Sequence, residues 1–315
     1  MYNAPICLFC YNRPELVEKT LYYLKRNYLA TESELFIFSD GPKNDKDLEK
    51  IKVVRNIIQK TNGFKNKELI IEDSNRGLAK SIIQGVSNIL NNYQKVIVLE
   101  DDLISSPNFL NFMNQALGLF DNNDNIFSIS GFNIPISIPP RYDSDIYLAR
   151  RPFSWGWATW KDKWNNIQWD INNYANYIND IKIMNQFGKI SQDLPRMLRA
   201  NIEGKIDSWY IRWAFNHFIS NKYCVYPCIS KIFNNGYYYD SSNCKGFNIY
   251  SNVKLDNTSK IIFNFDLLDN HKAYFEKQFA MFFSYKNKLI QRLKLLKSLT
   301  GIKIIYNDIK YKIFY

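Results

Sequence analysis

Histidine is almost absent from this chain. Its 315 residues include only His217 and His271, so a hydrolase triad or a histidine-based zinc site has little material. Neither the G-x-G-x-x-G fingerprint nor the G-x-x-x-x-G-K-[ST] loop occurs. These absences disfavour a dinucleotide-dependent oxidoreductase, a P-loop NTPase and a serine or cysteine hydrolase.

Cysteine is also sparse. The five cysteines are Cys7, Cys10, Cys224, Cys228 and Cys244. Five is an odd number for a disulfide framework, and the first two lie three residues apart in a predicted strand, where they face opposite sides. We expect reduced, mostly buried thiols and a cytoplasmic protein.

Long apolar runs are missing as well. No run approaches the roughly 18 residues that a membrane span needs. The short apolar run near the N-terminus leads directly into Tyr-Asn-Arg-Pro, which is not the layout of a signal peptide. The hydrophobic fraction of 46% instead indicates a globular protein with one large or two small domains.

Positive charge is concentrated at one end. The net charge is +11, and residues 270–315 hold ten Lys or Arg against Glu276 and Asp308, a local charge of +8. One helical face there is apolar with basic flanks, formed by Leu289, Leu293 and Leu296 beside Lys286, Arg292 and Lys297. The tail is predicted either to contact an anionic membrane surface or to pack on the body of the protein. Nucleic acid is a disfavoured partner, because no binding motif appears.

The first half alternates strands and helices. Strands are predicted at Ile6–Cys10, Leu35–Phe38, Leu69–Ile71, Val96–Leu99 and Phe127–Ile129, and helices from Pro14, around 78–90 and from Pro107. Such alternation predicts an α/β fold with a mostly parallel sheet and helices on both faces.

Polar residues follow four of these strands. They are 11–14 (Tyr-Asn-Arg-Pro), 39–42 (Ser-Asp-Gly-Pro), 75–77 (Asn-Arg-Gly) and 100–102 (Glu-Asp-Asp). Two of the segments offer cations and helix N-termini for phosphate, and two offer carboxylates. Because ligands of open parallel sheets bind beyond the carboxyl ends of the strands, the four segments predict one binding site.

The acidic triplet Glu100, Asp101 and Asp102 has two interpretations. Three adjacent anions repel one another, and a magnesium or manganese ion would relieve that repulsion. Alternatively, the acids precede a helix start at Ser106-Pro107, where negative charge is common. The triplet alone does not decide between a metal site and a helix cap.

Aromatic residues dominate the following region. The segment Arg150–Trp164 contains Trp155, Trp157, Trp160 and Trp164. Tryptophan faces can carry sugar rings, and Gly156 permits close approach, but most of the four are expected in the core. Further on, Asp207-Ser208-Trp209 precedes an amphipathic run, where an acid is usually an N-cap.

In this order, the motifs resemble a nucleotide-sugar glycosyltransferase of the GT-A fold, of the N-acetylglucosaminyltransferase I type and related bacterial sugar transferases. The resemblance covers about residues 4–245 and is most specific over Val96–Phe109. It implies a GT-A, Rossmann-like sheet flanked by helices, with an acceptor-side α+β region and a basic helical tail. The implied division is 1–150 for the nucleotide sugar, 151–269 for the acceptor side of the same domain, and 270–315 for the tail.

The resemblance also implies roles for individual residues. Asp102 would bind Mn²⁺ or Mg²⁺, and Asp207 would be the catalytic base. The implied nucleotide-binding residues are Asn12, Arg13, Asp40, Arg76 and Asp101. The implied donor-sugar residues are Glu100, Trp155, Gly156 and Trp157. The sequence departs from the family at Ser208, where a second Asp is usual, and at Asp240–Asn243, a turn that often ends in His.

The predicted function is an inverting transfer of a sugar from a nucleotide diphosphate, UDP-linked such as UDP-GlcNAc, to a hydroxyl of a glycan or lipid-linked glycan. The predicted location is the cytoplasm, and the inner face of the membrane is the surface that the tail would contact if it does not pack on the body. Two alternatives remain open: an inactive carbohydrate- or nucleotide-binding module, and a sugar-phosphate nucleotidyltransferase. The second should carry a Gly-rich loop after its first strand, which the segment 11–14 is not.

Overall fold

The computed structural model describes residues 2–236, 248–297, 301, 302 and 305. The predicted turn Asp240–Asn243, Cys244 and the last ten residues of the basic tail lie outside the described residues. No helix in the described part of the chain is long and apolar enough to cross a membrane.

In the described part of the chain, eight strands form the main sheet and two form a small one. The strands are β1 (Ile6–Cys10), β2 (Glu34–Ser39), β3 (Asn66–Ile71), β4 (Lys95–Glu100), β5 (Leu103–Ser105), β6 (Ile126–Ser130), β7 (Ile146–Ala149), β8 (Trp157–Trp160), β9 (Tyr223–Pro227) and β10 (Ile232–Asn234). The main sheet has the order β3-β2-β1-β4-β8-β6-β9-β7, and β5 pairs with β10. Within the main sheet, only β7 and β8 run antiparallel to their neighbours. The predicted α/β class with a mostly parallel sheet is confirmed.

The described residues form ten α-helices. They are α1 (Pro14–Leu24), α2 (Asp45–Lys60), α3 (Leu78–Asn92), α4 (Phe109–Leu119), α5 (Lys161–Asn165), α6 (Ile181–Ile190), α7 (Leu194–Ile202), α8 (Trp209–Ile219), α9 (Lys272–Phe282) and α10 (Tyr285–Leu295). One face of the sheet packs against α1, α2, α4 and α9, and the other against α3 and α8. Cys7 and Cys10 lie in the cores on these two faces, as their spacing predicted, and both thiols are free.

Helix α2 is absent from the prediction, although the sequence contains its signals. Asn44 is its N-cap, with Oδ1 accepting from the backbone N–H of Lys46 at 3.0 Å. Ile51, Val54 and Ile58 form its buried face at helical spacing. Many charged residues between them lower its average hydrophobicity and hide this periodicity.

The predicted helix cap at Ser106 is wrong. Helix α4 begins at Phe109, and Ser106 instead donates its hydroxyl to Asn108 Oδ1 at 2.8 Å. Strand β5 separates the acidic triplet from that helix, so the acids are not at a helix N-terminus. The helix-cap interpretation of the triplet is therefore excluded.

The basic tail divides into two parts. Helix α9 closes the core, with Phe275, Phe279 and Phe282 buried and the ring of Phe275 stacked 4.2 Å from that of Tyr147. Helix α10 has no buried residue. Packing on the body, one of the two predicted alternatives, thus applies to α9, whereas α10 contacts the body at its first residue, where the Tyr285 N–H donates to Gln192 Oε1 at 2.8 Å.

The second half completes the sheet of the first half. Strands β8 and β9 lie between strands from residues 95–149, so 1–150 and 151–269 share one sheet. Trp157, Trp160 and Trp164 are buried, as expected for most of the tryptophans. Trp157 packs on Trp164, Trp209 and Trp213, which joins β8 to α5 and α8.

A buried histidine makes this packing sensitive to acid. Burial, with the charge of Lys222, lowers the pKa of His217 to about 3. In the unfolded chain its pKa is about 6.5, so the unfolded state binds more protons as the pH falls from 6.5. Wild type should therefore lose stability between pH 7 and pH 5. We predict that this loss is about 2 kcal/mol smaller in His217→Gln. Chemical denaturation at both pH values measures the difference, and equal losses in both proteins would contradict it.

Candidate functional site

Arg13 and two acids lie together at the carboxyl edge of the sheet. The guanidinium pairs with both oxygens of Asp101 through Nη2 and Nε, and Nη1 lies 3.1 Å from Asp102 Oδ2. Asp101 is buried and also accepts from the backbone N–H of Tyr11 at 3.4 Å. One cation from the loop after β1 therefore binds two acids from the end of β4, as the shared edge predicted.

Asp102 is fixed by the second, smaller sheet. Its carbonyl accepts from the N–H of Asn235 at 2.8 Å, which extends the β5–β10 pairing. Gly236 lies so close to the Asp102 carboxylate that an added Cβ would collide with Oδ2. Neither Asn235 nor Gly236 was predicted, and only the antiparallel pairing of β5 with β10 brings them here.

The cluster contains more negative charge than Arg13 neutralises. Burial, with the charges of Asp102 and Asp101, raises the pKa of Glu100 to about 8. Burial also raises the pKa of Asp101, and it raises that of Asp102 to about 6 despite the opposing charge of Arg13. Burial acts to lower the pKa of Arg13, but its two acidic partners outweigh burial and hold that pKa above its usual value. The site thus favours an additional positive charge.

Asn12 binds an acid that was not predicted. Asp47, in the first turn of α2, accepts from Asn12 Nδ2 at 2.6 Å and from the Tyr11 hydroxyl at 2.7 Å. The Tyr11 hydroxyl lowers the pKa of Asp47, and Asn12 adds to the effect. The loop after β1 is therefore held between α2 and the acids of β4.

Asp40 holds a neighbouring loop. Its carboxylate accepts from the backbone N–H groups of Gly41 and Arg76 at 2.9 Å and of Gly77 at 3.1 Å. The side-chain amide of Asn75 donates to it at 2.9 Å. Asp40 thereby joins the loop after β2 to the loop after β3, and its role in binding a nucleotide stays a prediction.

The Arg76 side chain lies on the surface beside that loop. Its Nη2 pairs with Glu72 Oε2 at 2.7 Å, and its Nη1 donates to Gln84 Oε1 at 3.0 Å. No contact joins it to the acidic triplet among the described residues. The structure thus brings Arg13, Asp101 and Asp102 together and leaves Arg76 apart from them.

The predicted sugar-binding segment lies beside the acids. Val98 of β4 is in register with Trp157 of β8, so the residues just before Trp157 lie next to the carboxyl end of β4. Trp155 is half-buried against Phe132 and Phe153. Gly156 has φ +61°, where a side chain would also meet Ile232 at 2.5 Å, so glycine is required.

Trp157 requires a correction. Its side chain is 0% exposed within the tryptophan cluster, so the indole is part of the core and has no surface for a sugar. The backbone of 155–157 and the Trp155 ring are what this segment offers to a ligand. The sequence alone does not predict which of two neighbouring tryptophans faces the core and which faces the surface.

Asp207 precedes α8 but does not cap it. Ser208 is the N-cap, with Oγ accepting from the N–H of Ile211 at 3.4 Å, so the N-cap interpretation of Asp207 is wrong. The Asp207 side chain is 72% exposed, and its Oδ1 pairs with Arg212 Nη2 at 2.7 Å. Arg212 is itself fixed by the carbonyl of Trp169 at 3.1 Å. The carboxylate is thus both oriented and accessible.

The acids of the cluster are candidate ligands for a divalent metal ion. No group of three His, Cys, Asp or Glu side chains converges on a complete metal site within the described ranges. Mg²⁺ and Mn²⁺ are commonly held by only one or two carboxylates together with substrate phosphates. The excess negative charge at 100–102 fits an ion bound by Asp102 jointly with a phosphate ligand, and does not fit a protein-only cage.

Comparison with known proteins agrees with this geometry. Residues 6–171 match the model described as Glycosyl transferase family 2, which is more than half of the chain, and the chain belongs to that family. No curated protein sequence matches it. Among solved structures it is similar to the mannosyltransferase PcManGT from Pyrobaculum calidifontis in complex with GDP-Man and Mn²⁺. That match covers 69% of this chain and 70% of the other, with a TM-score of 0.40 and 10% identity.

The chain is therefore a nucleotide-sugar glycosyltransferase with a GT-A-like fold, as the sequence predicted. The family implies a nucleotide-sugar donor and a glycan acceptor. A nucleotidyltransferase is no longer an alternative.

The metal interpretation leads to a binding test. We predict that Mn²⁺ alone binds wild type weakly, and that UDP and Mn²⁺ strengthen each other's binding by the same factor of roughly ten or more. Asp102→Asn should abolish this coupling, because the ion loses its protein ligand, while the exposed Asp121→Asn should retain it. Calorimetric titration with each ligand alone and with both measures the factor. Full coupling in Asp102→Asn would contradict the assignment.

Proposed function

We propose that this enzyme moves a sugar from a nucleotide diphosphate, UDP-linked such as UDP-GlcNAc, to a hydroxyl of a glycan or lipid-linked glycan acceptor, with inversion. The observation that supports this most is the cluster of Arg13, Asp101 and Asp102 beside the segment 153–157 at one edge of the sheet. Charged groups for a diphosphate and an aromatic wall for a sugar are adjacent there.

The proposed donor site uses three loops. Asn12 and Arg13 lie in the loop after β1, and Asp40 organises the loops after β2 and β3, which together would surround the nucleotide. Glu100 and Trp155 lie where the sugar would meet the end of β4. The proposal also assigns the nucleotide sugar to residues 1–150 and the acceptor to residues 151–269.

Departure of the nucleotide diphosphate places negative charge on its oxygens. Asp102 would hold Mn²⁺ or Mg²⁺, and the ion supplies positive charge to the diphosphate when it is bound. Arg13 keeps Asp101 and Asp102 in place and reduces their repulsion of the phosphates. These groups are fixed before the substrate arrives, so little reorganisation is needed during the reaction.

Asp207 is the proposed general base. It lies two residues before Trp209, whose ring stacks 5.2 Å from that of Trp157, and Trp157 pairs with β4. The N-terminal end of α8 therefore packs on β8, the strand that pairs with β4. A carboxylate there, oriented by Arg212, would take the proton of the acceptor hydroxyl as that hydroxyl attacks the anomeric carbon. Attack opposite the leaving group inverts the anomeric centre.

We predict that Asp207→Asn lowers kcat by 10²–10⁴-fold, the usual contribution of a general base, with donor affinity nearly unchanged. Glu203→Gln is a matched control, because Glu203 is an exposed acid of the same loop and pairs with Lys205 at 2.7 Å. Turnover is measured as UDP release with and without acceptor. A two-fold effect, or loss of donor binding, would remove Asp207 from this role, and no wild-type turnover with a panel of donors would favour the inactive-module alternative.

Helix α10 is the proposed contact with the membrane that carries a lipid-linked acceptor. Leu289, Leu293 and Leu296 are each more than half exposed and lie on one helical face. Arg292 and Lys294 lie in its last turn, and residues 270–315 carry +8. An apolar face with basic flanks complements an anionic lipid surface, to which each nearby Lys or Arg contributes about 1 kcal/mol.

We predict that wild type sediments with phosphatidylglycerol–phosphatidylcholine vesicles at low salt and not with phosphatidylcholine alone. The double variant Leu289→Ser/Leu293→Ser should bind at least ten-fold more weakly, because each buried leucine contributes about 1.5–3 kcal/mol. Leu119→Ser, at an exposed leucine of α4, is the control. Equal binding to both vesicle types, no binding to either, or an unaffected double variant would leave α10 without a membrane role.

A further inference from the structure

Asn235 carries a buried donor with no partner. Its side chain belongs to a residue that is only 7% exposed, and its Nδ2 makes no hydrogen bond within residues 2–236 and 248–297. Its Oδ1 accepts from Lys19 Nζ at 3.4 Å. Because an ammonium group only donates, the amide oxygen must face Lys19, and Nδ2 points elsewhere. An unsatisfied buried donor is costly, and a ligand acceptor that reached it would remove that cost.

This donor lies at the acidic cluster. The backbone N–H of Asn235 donates to the Asp102 carbonyl, and the next residue, Gly236, is so near the Asp102 carboxylate that an added Cβ would collide with it. On α1, Thr20 follows Lys19 and donates its hydroxyl to the Asp101 carbonyl at 2.9 Å. Asn235 thus bonds directly to Asp102, and Lys19 is the chain neighbour of a residue that bonds to Asp101. These are the two acids that Arg13 binds.

The positive charge of Lys19 indicates that the ligand is an anion. Arg13 directs three of its five N–H donors to Asp101 and Asp102, and these two acids already balance its single positive charge. Lys19 makes no ion pair with the described acids, and its ammonium has donors beyond the one directed at Asn235. An ammonium without an ion pair, beside an unpaired amide N–H₂, suits anionic oxygen better than a neutral sugar hydroxyl.

We propose that Lys19 and Asn235 form a phosphate-binding arm, in which Lys19 Nζ and Asn235 Nδ2 donate to oxygens of the donor diphosphate. This proposal rests on the proposed function. It adds a cation, Lys19, that contacts the leaving diphosphate directly. Arg13 then organises the acids, and Lys19 receives the phosphate.

The test compares Lys19→Gln and Asn235→Ala with Lys25→Gln, a control at the end of the same helix. Glutamine at 19 can still donate to the Asn235 oxygen but carries no charge. UDP and GDP are titrated with Mn²⁺, and the nucleotide that wild type binds is used. Each arm variant should bind it about ten-fold more weakly, the usual effect of losing a hydrogen bond to a charged group. Lys19→Gln should also reduce the salt dependence of binding.

Nucleoside binding separates the arm from a structural defect. Uridine or guanosine binding, followed by ligand-observed NMR, should be the same in wild type and all three variants, and thermal midpoints should agree. Equal loss of nucleoside binding, or diphosphate binding like that of Lys25→Gln, would overturn the arm while the proposed function stands. If wild type binds neither UDP nor GDP, the proposed function itself fails.

Discussion

The arrangement of the candidate site depends on one guanidinium group between two acids. Arg13 joins the loop after β1 to the end of β4, and Asp101, its main partner, is almost completely buried. A buried ion pair is stable only when its geometry is good and other hydrogen bonds satisfy it, and the N–H of Tyr11 provides one for Asp101. Loss of Arg13 would leave three carboxylates at one strand end without a counter-charge.

Around this pair, acids hold the loops of the site. Asp47 fixes Tyr11 and Asn12, and Asp40 fixes the residues that follow β3. The loops of the site are therefore organised by carboxylates that bind the protein, whereas Glu100, Asp102 and Asp207 are the acids proposed to act on ligands. Such supporting contacts limit the movement of groups that must meet a substrate within a fraction of an ångström.

The parallel core could be predicted because its signals are local. Short apolar runs such as Val96–Leu99, followed by polar turns, define both the strands and the edge where ligands bind. Contacts between distant segments could not be predicted in the same way. The approach of Gly236 to Asp102 depends on the β5–β10 pairing, and the burial of the Trp157 indole depends on α8. The hydrogen bonds of Asp40 were likewise invisible, since an acid before a glycine suggests a turn as readily as a ligand.

The central claim is that a divalent ion and a nucleoside diphosphate share the end of β4. Crystals grown with UDP and Mn²⁺, measured at the manganese absorption edge, would locate the ion directly. The account predicts one anomalous peak within coordination distance of an Asp102 oxygen and of the diphosphate. A bound diphosphate whose manganese has no ligand from residues 100–102 would contradict it.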